Sequence, residues 1–244
     1  GAVKWKVDLG AEIIAAPSYV PAAGGKGAGV LVGDYAGDVA LVDLASGAVR
    51  WTYATGSYIY GSAAIVGEHA VIGGCDGYVH TLRVADGGVV AKVEVGAYVG
   101  ASVATEGTRG FVGHFGNAVV GFDALTGAVR WTHRDRSFPY LSSAAVGKEF
   151  VVLGGRDRMV RALEKDTGEL WWIFAARERV ESSPVIAGEL VVIGSEDGRL
   201  YFLDTSDGHE RRAYDLGAPV TASPAVAGGW VFVGTGDGTV HALG

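Results

Sequence analysis

The chain has 244 residues, a formal net charge of −7 and a single cysteine. Twenty basic residues face 27 acidic ones, and no basic run exceeds three residues, which argues against the concentrated cationic surface that nucleic-acid binding needs. No apolar run approaches the ~18 residues of a membrane-spanning helix, and one thiol, Cys75, allows neither an internal disulfide nor a cysteine-rich metal site.

In chain order, the first recognisable stretch is Gly1-Ala-Val-Lys-Trp5, which returns as Gly47-Ala-Val-Arg-Trp51 and Gly127-Ala-Val-Arg-Trp131. Pro21–Gly29 is glycine-rich and reads as a flexible surface loop that lengthens the first inner hairpin. From there the chain repeats. Glycines at 33, 73, 113, 154, 194 and 234 each open a copy of one pattern, at steps of 40, 40, 41, 40 and 40 residues. A period of this size marks a repeat architecture.

Within the fifth copy, Val180–Ala187, Glu189–Gly194, Arg199–Leu203 and His209–Tyr214 read as four antiparallel strands, with Asp197-Gly198 as a two-residue hairpin turn. Equivalent turns fall at Ala36-Gly37, Asp76-Gly77, Gly116-Asn117, Asp157-Arg158 and Asp237-Gly238. Arg158 is the odd member and points to a different turn there. Four strands in about 40 residues make one propeller blade. The sixth copy stops after its third strand, and Gly1–Trp5 has the sequence of the missing outer strand. The expectation is a single all-β domain, residues 1–244, folded as a six-bladed β-propeller of four-stranded antiparallel blades and closed by the N-terminal strand completing the last blade.

Asp123-Ala-Leu-Thr-Gly-Ala-Val-Arg-Trp131 and Leu203-Asp-Thr-Ser-Asp-Gly208 resemble the repeat of the PQQ-like β-propellers, the superfamily of quinoprotein alcohol dehydrogenases and of outer-membrane assembly lipoprotein B. The resemblance runs through all six copies. It implies that Trp5, Trp51, Trp131 and Trp172 dock each blade on its neighbour, with Ala91 and Arg212 in the two remaining places. It implies a periplasmic or otherwise extracytoplasmic location. It does not carry over quinone chemistry: the adjacent cysteines of the dehydrogenases have no counterpart in a chain with one cysteine, and no position matches their catalytic aspartate.

Other chemistry is sparse. Asp76, Asp157, Asp197 and Asp237 read as turn formers rather than calcium ligands. His80 and His241 take the same place in the third strand of different blades and read as half-buried strand positions. Cys75 has no base nearby in sequence. We therefore expect no enzyme, no cofactor and no metal. One feature departs from small, polar turn composition. The loops expected to open on one face carry Glu12, Tyr58, Tyr60, Tyr98, Phe138, Tyr140, Arg177, Arg179 and Glu181, and the hairpin turns there add Tyr35, Cys75, His114, Phe115, Arg156 and Arg158. Aromatic residues and arginines are the types enriched at recognition hot spots. The reading is a monomeric, non-catalytic scaffold that recognises a protein segment or a small ligand on this face. The alternative is that the rings plug a central channel, or that an enzyme, a degenerate quinoprotein or a saccharide hydrolase or lyase, works at the channel mouth.

Overall fold

The computed structural model describes residues 1–23, 25–134 and 138–244; Gly24, inside the expected Pro21–Gly29 loop, lies outside them. The described residues form no helix. The fold is a six-bladed β-propeller, and each blade is an antiparallel sheet whose strands pair in chain order. Blade 1 contains β1 (Ser18–Val20), β2 (Gly29–Gly33), β3 (Asp38–Asp43) and β4 (Val49–Ala54). Blade 2 contains β5 (Ala64–Val66), β6 (His69–Gly73), β7 (Tyr78–Arg83) and β8 (Val89–Glu94). Blade 3 contains β9 (Ala104–Glu106), β10 (Arg109–His114), β11 (Ala118–Asp123) and β12 (Val129–His133). Blade 4 contains β13 (Ala145–Val146), β14 (Phe150–Gly154), β15 (Met159–Glu164) and β16 (Leu170–Ala175). Blade 5 contains β17 (Val185–Ala187), β18 (Leu190–Gly194), β19 (Arg199–Asp204) and β20 (Glu210–Asp215), and blade 6 contains β21 (Ala225–Ala227), β22 (Trp230–Gly234) and β23 (Val240–Leu243). Contacts divide the chain into two compact units, Gly1–Gly110 with Phe122–Val129, and Phe111–Gly121 with Arg130–Gly244.

The repeat motif is explained residue by residue. Its Asp caps the turn between third and outer strand: Asp43 Oδ1 accepts from the amides of Ala45 (3.0 Å) and Ser46 (2.9 Å), and Asp123 Oδ1 from Leu125 (3.1 Å) and Thr126 (3.0 Å). Its Gly adopts positive φ, +74° at Gly47 and Gly168, and lies flat against the preceding blade's Trp. The indole then donates to a carbonyl of the same turn, from Trp5 to Leu44 (2.9 Å), Trp51 to Val84 (2.8 Å), Trp131 to Lys165 (3.0 Å) and Trp172 to Thr205 (2.9 Å). At Ala91 no ring is available, and Gly127 instead approaches the carbonyl of Lys92. At Arg212 the guanidinium turns to Tyr214 of its own strand, donating to its hydroxyl at 2.7 Å.

Ahead of the Trp position, filled by Ala91 in blade 2 and Arg212 in blade 5, the strand pairing shifts by one residue in blades 1, 2, 4 and 5. The bulge re-aims its extra residue. In blades 1 and 5 that residue is Arg50 or Arg211, which folds back onto the turn carboxylates Asp43 and Asp204. The Arg50 guanidinium, with the Ser46 donors, holds Asp43 well below the usual carboxylate range.

The inner strands are shorter than the pattern predicts. In blade 5 the strand begins at Val185 rather than Val180. Side chains replace the ladder over the missing residues: Ser182 Oγ accepts from the Gly194 amide (3.2 Å) and donates to the Ala222 carbonyl (3.0 Å). Ser62, Ser143 and Ser183 extend this stitching, each amide donating to the serine hydroxyl 40 residues on.

Two further expectations are corrected. The sixth sheet holds only β21, β22 and β23, and residues 1–17 form no strand, so the fourth strand expected from Gly1–Trp5 is absent from it. The other outer strands are tethered to their neighbours by a capped turn. Within residues 1–244 no capped turn joins the N-terminal segment to β23, so here pairing alone must offset the entropy of ordering it. Its Trp5 nonetheless takes the docking place on Leu44 and Gly47. The Pro21–Gly29 loop is also less free than its composition suggests. Ala23 and Lys26 form a bridge, Lys26 Nζ donates to the Ala85 carbonyl at 2.6 Å, and Arg50 donates to Ala28 at 3.0 Å.

Four of the leading glycines are tightly enclosed. A Cβ on Gly33, Gly73, Gly154 or Gly194 would overlap Ile59, Val99, Val180 or Val220, respectively, from the loop that enters the next blade. Gly73→Ala should therefore lower unfolding free energy by about 2 kcal/mol through overpacking. Combined with Val99→Ala it should cost less than the two changes summed. Additive costs in urea unfolding would show that the contact is not the constraint.

Candidate functional site

The turn between second and third strand is built the same way in every blade. Its amides need a side-chain acceptor, which comes from the first turn residue or the third. Asp34 Oδ1 accepts from Ala36 and Asp38, both at 2.9 Å. Asp76, Asp157, Asp197 and Asp237 accept from the residue two further on, at 2.9–3.2 Å. Three of these carboxylates also hold a donor four residues along the strand: His80 Nε2 lies 2.9 Å from Asp76, Tyr201 donates to Asp197 at 2.6 Å, and Arg161 pairs with Asp157. The aspartates are thus engaged as turn caps and strand anchors. His80, expected to be half-buried, is fully enclosed, with Tyr53 Oη 3.1 Å from its Nδ1, and burial lowers its pKa despite Asp76. Sequence reading passed over this Asp–donor pair because His, Tyr and Arg fill one position and look unrelated.

His114 belongs to this capping system rather than to the recognition face. It is 1% exposed, and its Nδ1 accepts from the Gly116 amide at 2.9 Å, as Asp34 does for Ala36. Tyr140 is likewise withdrawn, at 2% exposure in a core with Phe111, Trp131, Val151 and Leu153. It occupies the place of Ile59, Val99, Val180 and Val220, pressed onto Gly113. These two residues were expected on the face, and burial removes them from any contact with a partner. Cys75 is buried too, with its Sγ 3.8 Å from the Val99 carbonyl.

In the first unit the structure brings Tyr35, Tyr58 and Tyr60 together. Tyr35 stacks on Tyr58 with centroids 4.3 Å apart and meets Tyr60 edge-on at 5.6 Å. The Tyr35 and Tyr60 hydroxyls are 2.9 Å apart, and this bond pushes the Tyr60 pKa up to about 12. Tyr58 is 48% exposed, and the Tyr35 amide donates to the Glu12 carbonyl at 2.8 Å. Tyr98, the counterpart of Tyr58 in the next loop, is 62% exposed.

In the second unit Phe138, Arg156, Asp157, Arg158, Glu178, Arg179 and Glu196 surround an open cavity of about 500 Å³. Arg156 Nε donates to Glu181 at 2.5 Å, and Arg158 lies 3.9 Å from Glu178. Arg177 and Arg179 are exposed, and their loop is held by the Glu196 amide donating to the Arg179 carbonyl (2.9 Å) and the Arg177 amide donating to the Asp197 carboxylate (3.1 Å). Phe115 is exposed on the third blade's turn.

Arg158 corrects another expectation. Its turn is no different: the Arg158 amide donates to Gly155 at 3.2 Å, as Gly198 does to Ser195 at 3.1 Å. The arginine is held at φ +71°, where the equivalent positions are Gly37, Gly77, Asn117, Gly198 and Gly238.

The family model described as outer membrane protein assembly factor BamB matches residues 36–158 and, overlapping, 75–214. The chain belongs to this BamB family of PQQ-like repeat propellers. BamB of Xanthomonas campestris pv. campestris is 38% identical over 78 residues, a segment that covers 30% of this chain and 19% of that protein. Among solved structures, BamB from Moraxella catarrhalis superposes with TM-score 0.76 at 21% identity, covering 93% of this chain and 71% of that one. The computationally designed protein Ika8 superposes with TM-score 0.82 at 21% identity, covering 95% and 70%. At this identity both show the fold alone.

Burial lowers the His114 pKa to about 4 from an ordinary 6.5. Between those values the unfolded chain binds a proton that the folded chain refuses, so stability falls as pH drops from about 6.5 towards 4. His80, lowered in the same direction, adds to the loss. His114→Asn, which keeps an acceptor for Gly116, should flatten this part of a melting-temperature profile; an unchanged slope would mean that His114 is not buried neutral.

Proposed function

We propose that the chain is a non-catalytic scaffold of the extracytoplasmic space that binds a segment of a partner protein through its face loops, with Phe138, Arg156, Arg158, Arg179 and Glu181 forming one contact site. The observation that carries this reading is Arg158. A long cationic residue sits in left-handed backbone, where blades 1, 2, 5 and 6 use glycine and blade 3 uses asparagine. Such a conformation costs about 1–2 kcal/mol for a residue with a Cβ. Nothing in the turn's own hydrogen bonds requires it. The arginine gives the turn a planar multi-donor group beside Arg156, Arg179 and an exposed phenyl ring, the composition of an anchoring site for carboxylate-bearing protein surface. The BamB family supports the assignment, since its description names an assembly factor for outer membrane proteins rather than an enzyme.

The test uses a photocrosslinking amino acid at position 138 or 179 in cells of the organism that makes the chain. Protein adducts are expected from these positions and not from the exposed outer-strand positions 129 or 170. Arg158→Gly should leave the folding free energy unchanged or raise it by up to about 1 kcal/mol, yet strongly reduce the adducts at 138. Equal labelling at all four positions, or adducts indifferent to Arg158→Gly, would refute the site.

A further inference from the structure

The first unit's face loops differ chemically from the second's. Residues 8–17, 34–37, 55–63, 74–77 and 95–103 contain no lysine, arginine or histidine, but hold Asp8, Glu12, Asp34 and Asp76. Asp34 caps its turn and Asp76 is paired with His80, so both are committed internally. Glu12 is exposed, and its carbonyl is bonded to the amide of Tyr35, the ring at the centre of the tyrosine cluster. With one face against Tyr35, Tyr58 is nearly half exposed, and Tyr60 stands perpendicular to the stack. The hydroxyl–hydroxyl bond fixes two of the three rings relative to one another.

We propose that Tyr58, Tyr60 and Glu12 form a cation-recognition corner that takes a lysine or arginine side chain from a basic segment of a protein partner. An aromatic face attracts a cation through its quadrupole, and most strongly where the rings are preorganised and partly desolvated. Glu12, on a loop whose backbone is bonded to Tyr35, adds charge complementarity, and the absence of basic residues from all five loops removes the competitor that would otherwise neutralise it. The inference rests on the reading of this chain as a binding scaffold, but not on the arginine cavity, whose residues all belong to the other unit.

The probe is a short peptide of alternating arginine and glycine, titrated calorimetrically into the full chain beside an arginine-to-citrulline version. The arginine peptide should bind and the citrulline peptide should not. Tyr58→Leu and Glu12→Gln should each weaken binding by about tenfold. Tyr58→Phe, which keeps the ring, should retain it, as should Arg179→Ala in the other unit. Glu68→Gln, in the turn between β5 and β6, should also leave it unchanged. Equal binding of the two peptides, or equal weakening by Glu12→Gln and Glu68→Gln, would reduce the effect to general surface charge and overturn the proposal. Loss of binding in Tyr58→Phe would overturn the ring's role. Loss in Arg179→Ala alone would move the site to the arginine cavity. Thermal melts of each variant confirm that the fold persists.

Discussion

The fold depends on one contact made five times: a leading glycine with the side chain of the loop that enters the next blade pressed onto it. Ile59, Val99, Tyr140, Val180 and Val220 supply that side chain, and a Cβ on the facing glycine would overlap each of them. Close backbone approach is what glycine permits at a strand end. The same contact fixes where the following loop begins, because the loop's next hydrogen bonds are anchored on the turn beside the glycine: Val99 to Gly74, Val180 to Gly155 and Val220 to Ser195, at 3.0–3.3 Å. The face loops are therefore held on rigid supports, and their exposed residues can vary without loosening the blade.

The outer rim uses a second glycine in the same way. There the Asp caps the turn, the glycine takes positive φ and the neighbouring indole lies on it. Blades 2 and 5 lack the indole, at Ala91 and Arg212. Their strand pairing still carries the same one-residue shift, so the bulge is a property of the turn and not of the tryptophan.

Much of this was legible in the sequence, because the period of the glycines, the turn residues and the Asp–Thr–Gly–Trp spacing all answer to backbone requirements. Register also separates core from face, if every copy is aligned to the leading glycine. Counted back from the leading glycine that follows, Tyr140 falls with Ile59 and Val99, and counted on from its own leading glycine, His114 falls with Asp34, yet their aromatic and polar character drew them into the candidate face. Residue type misled where position was decisive. The serine stitching and the Asp–donor pairs were harder to see, since one structural role is filled by chemically unlike residues. The N-terminal strand shows the converse error: an outer-strand sequence matched well, yet residues 1–17 form no strand.

Once capping residues, core residues and turn aspartates are assigned their structural duties, little remains on the face loops, and what remains is sorted by unit. The first unit keeps tyrosines and an exposed glutamate. The second keeps arginines, partly paired with glutamates, around a cavity. Folding does not account for every member. Arg158 works against it, and exposed tyrosines bury less area than they could. A repeat protein that satisfies its turn with glycine in four blades has a low-cost solution at hand, so a costly residue in a fifth is best explained by what it contacts outside the fold. The loops diverge on a scaffold whose other positions recur every 40 residues, and the proposed recognition draws its specificity from that divergence.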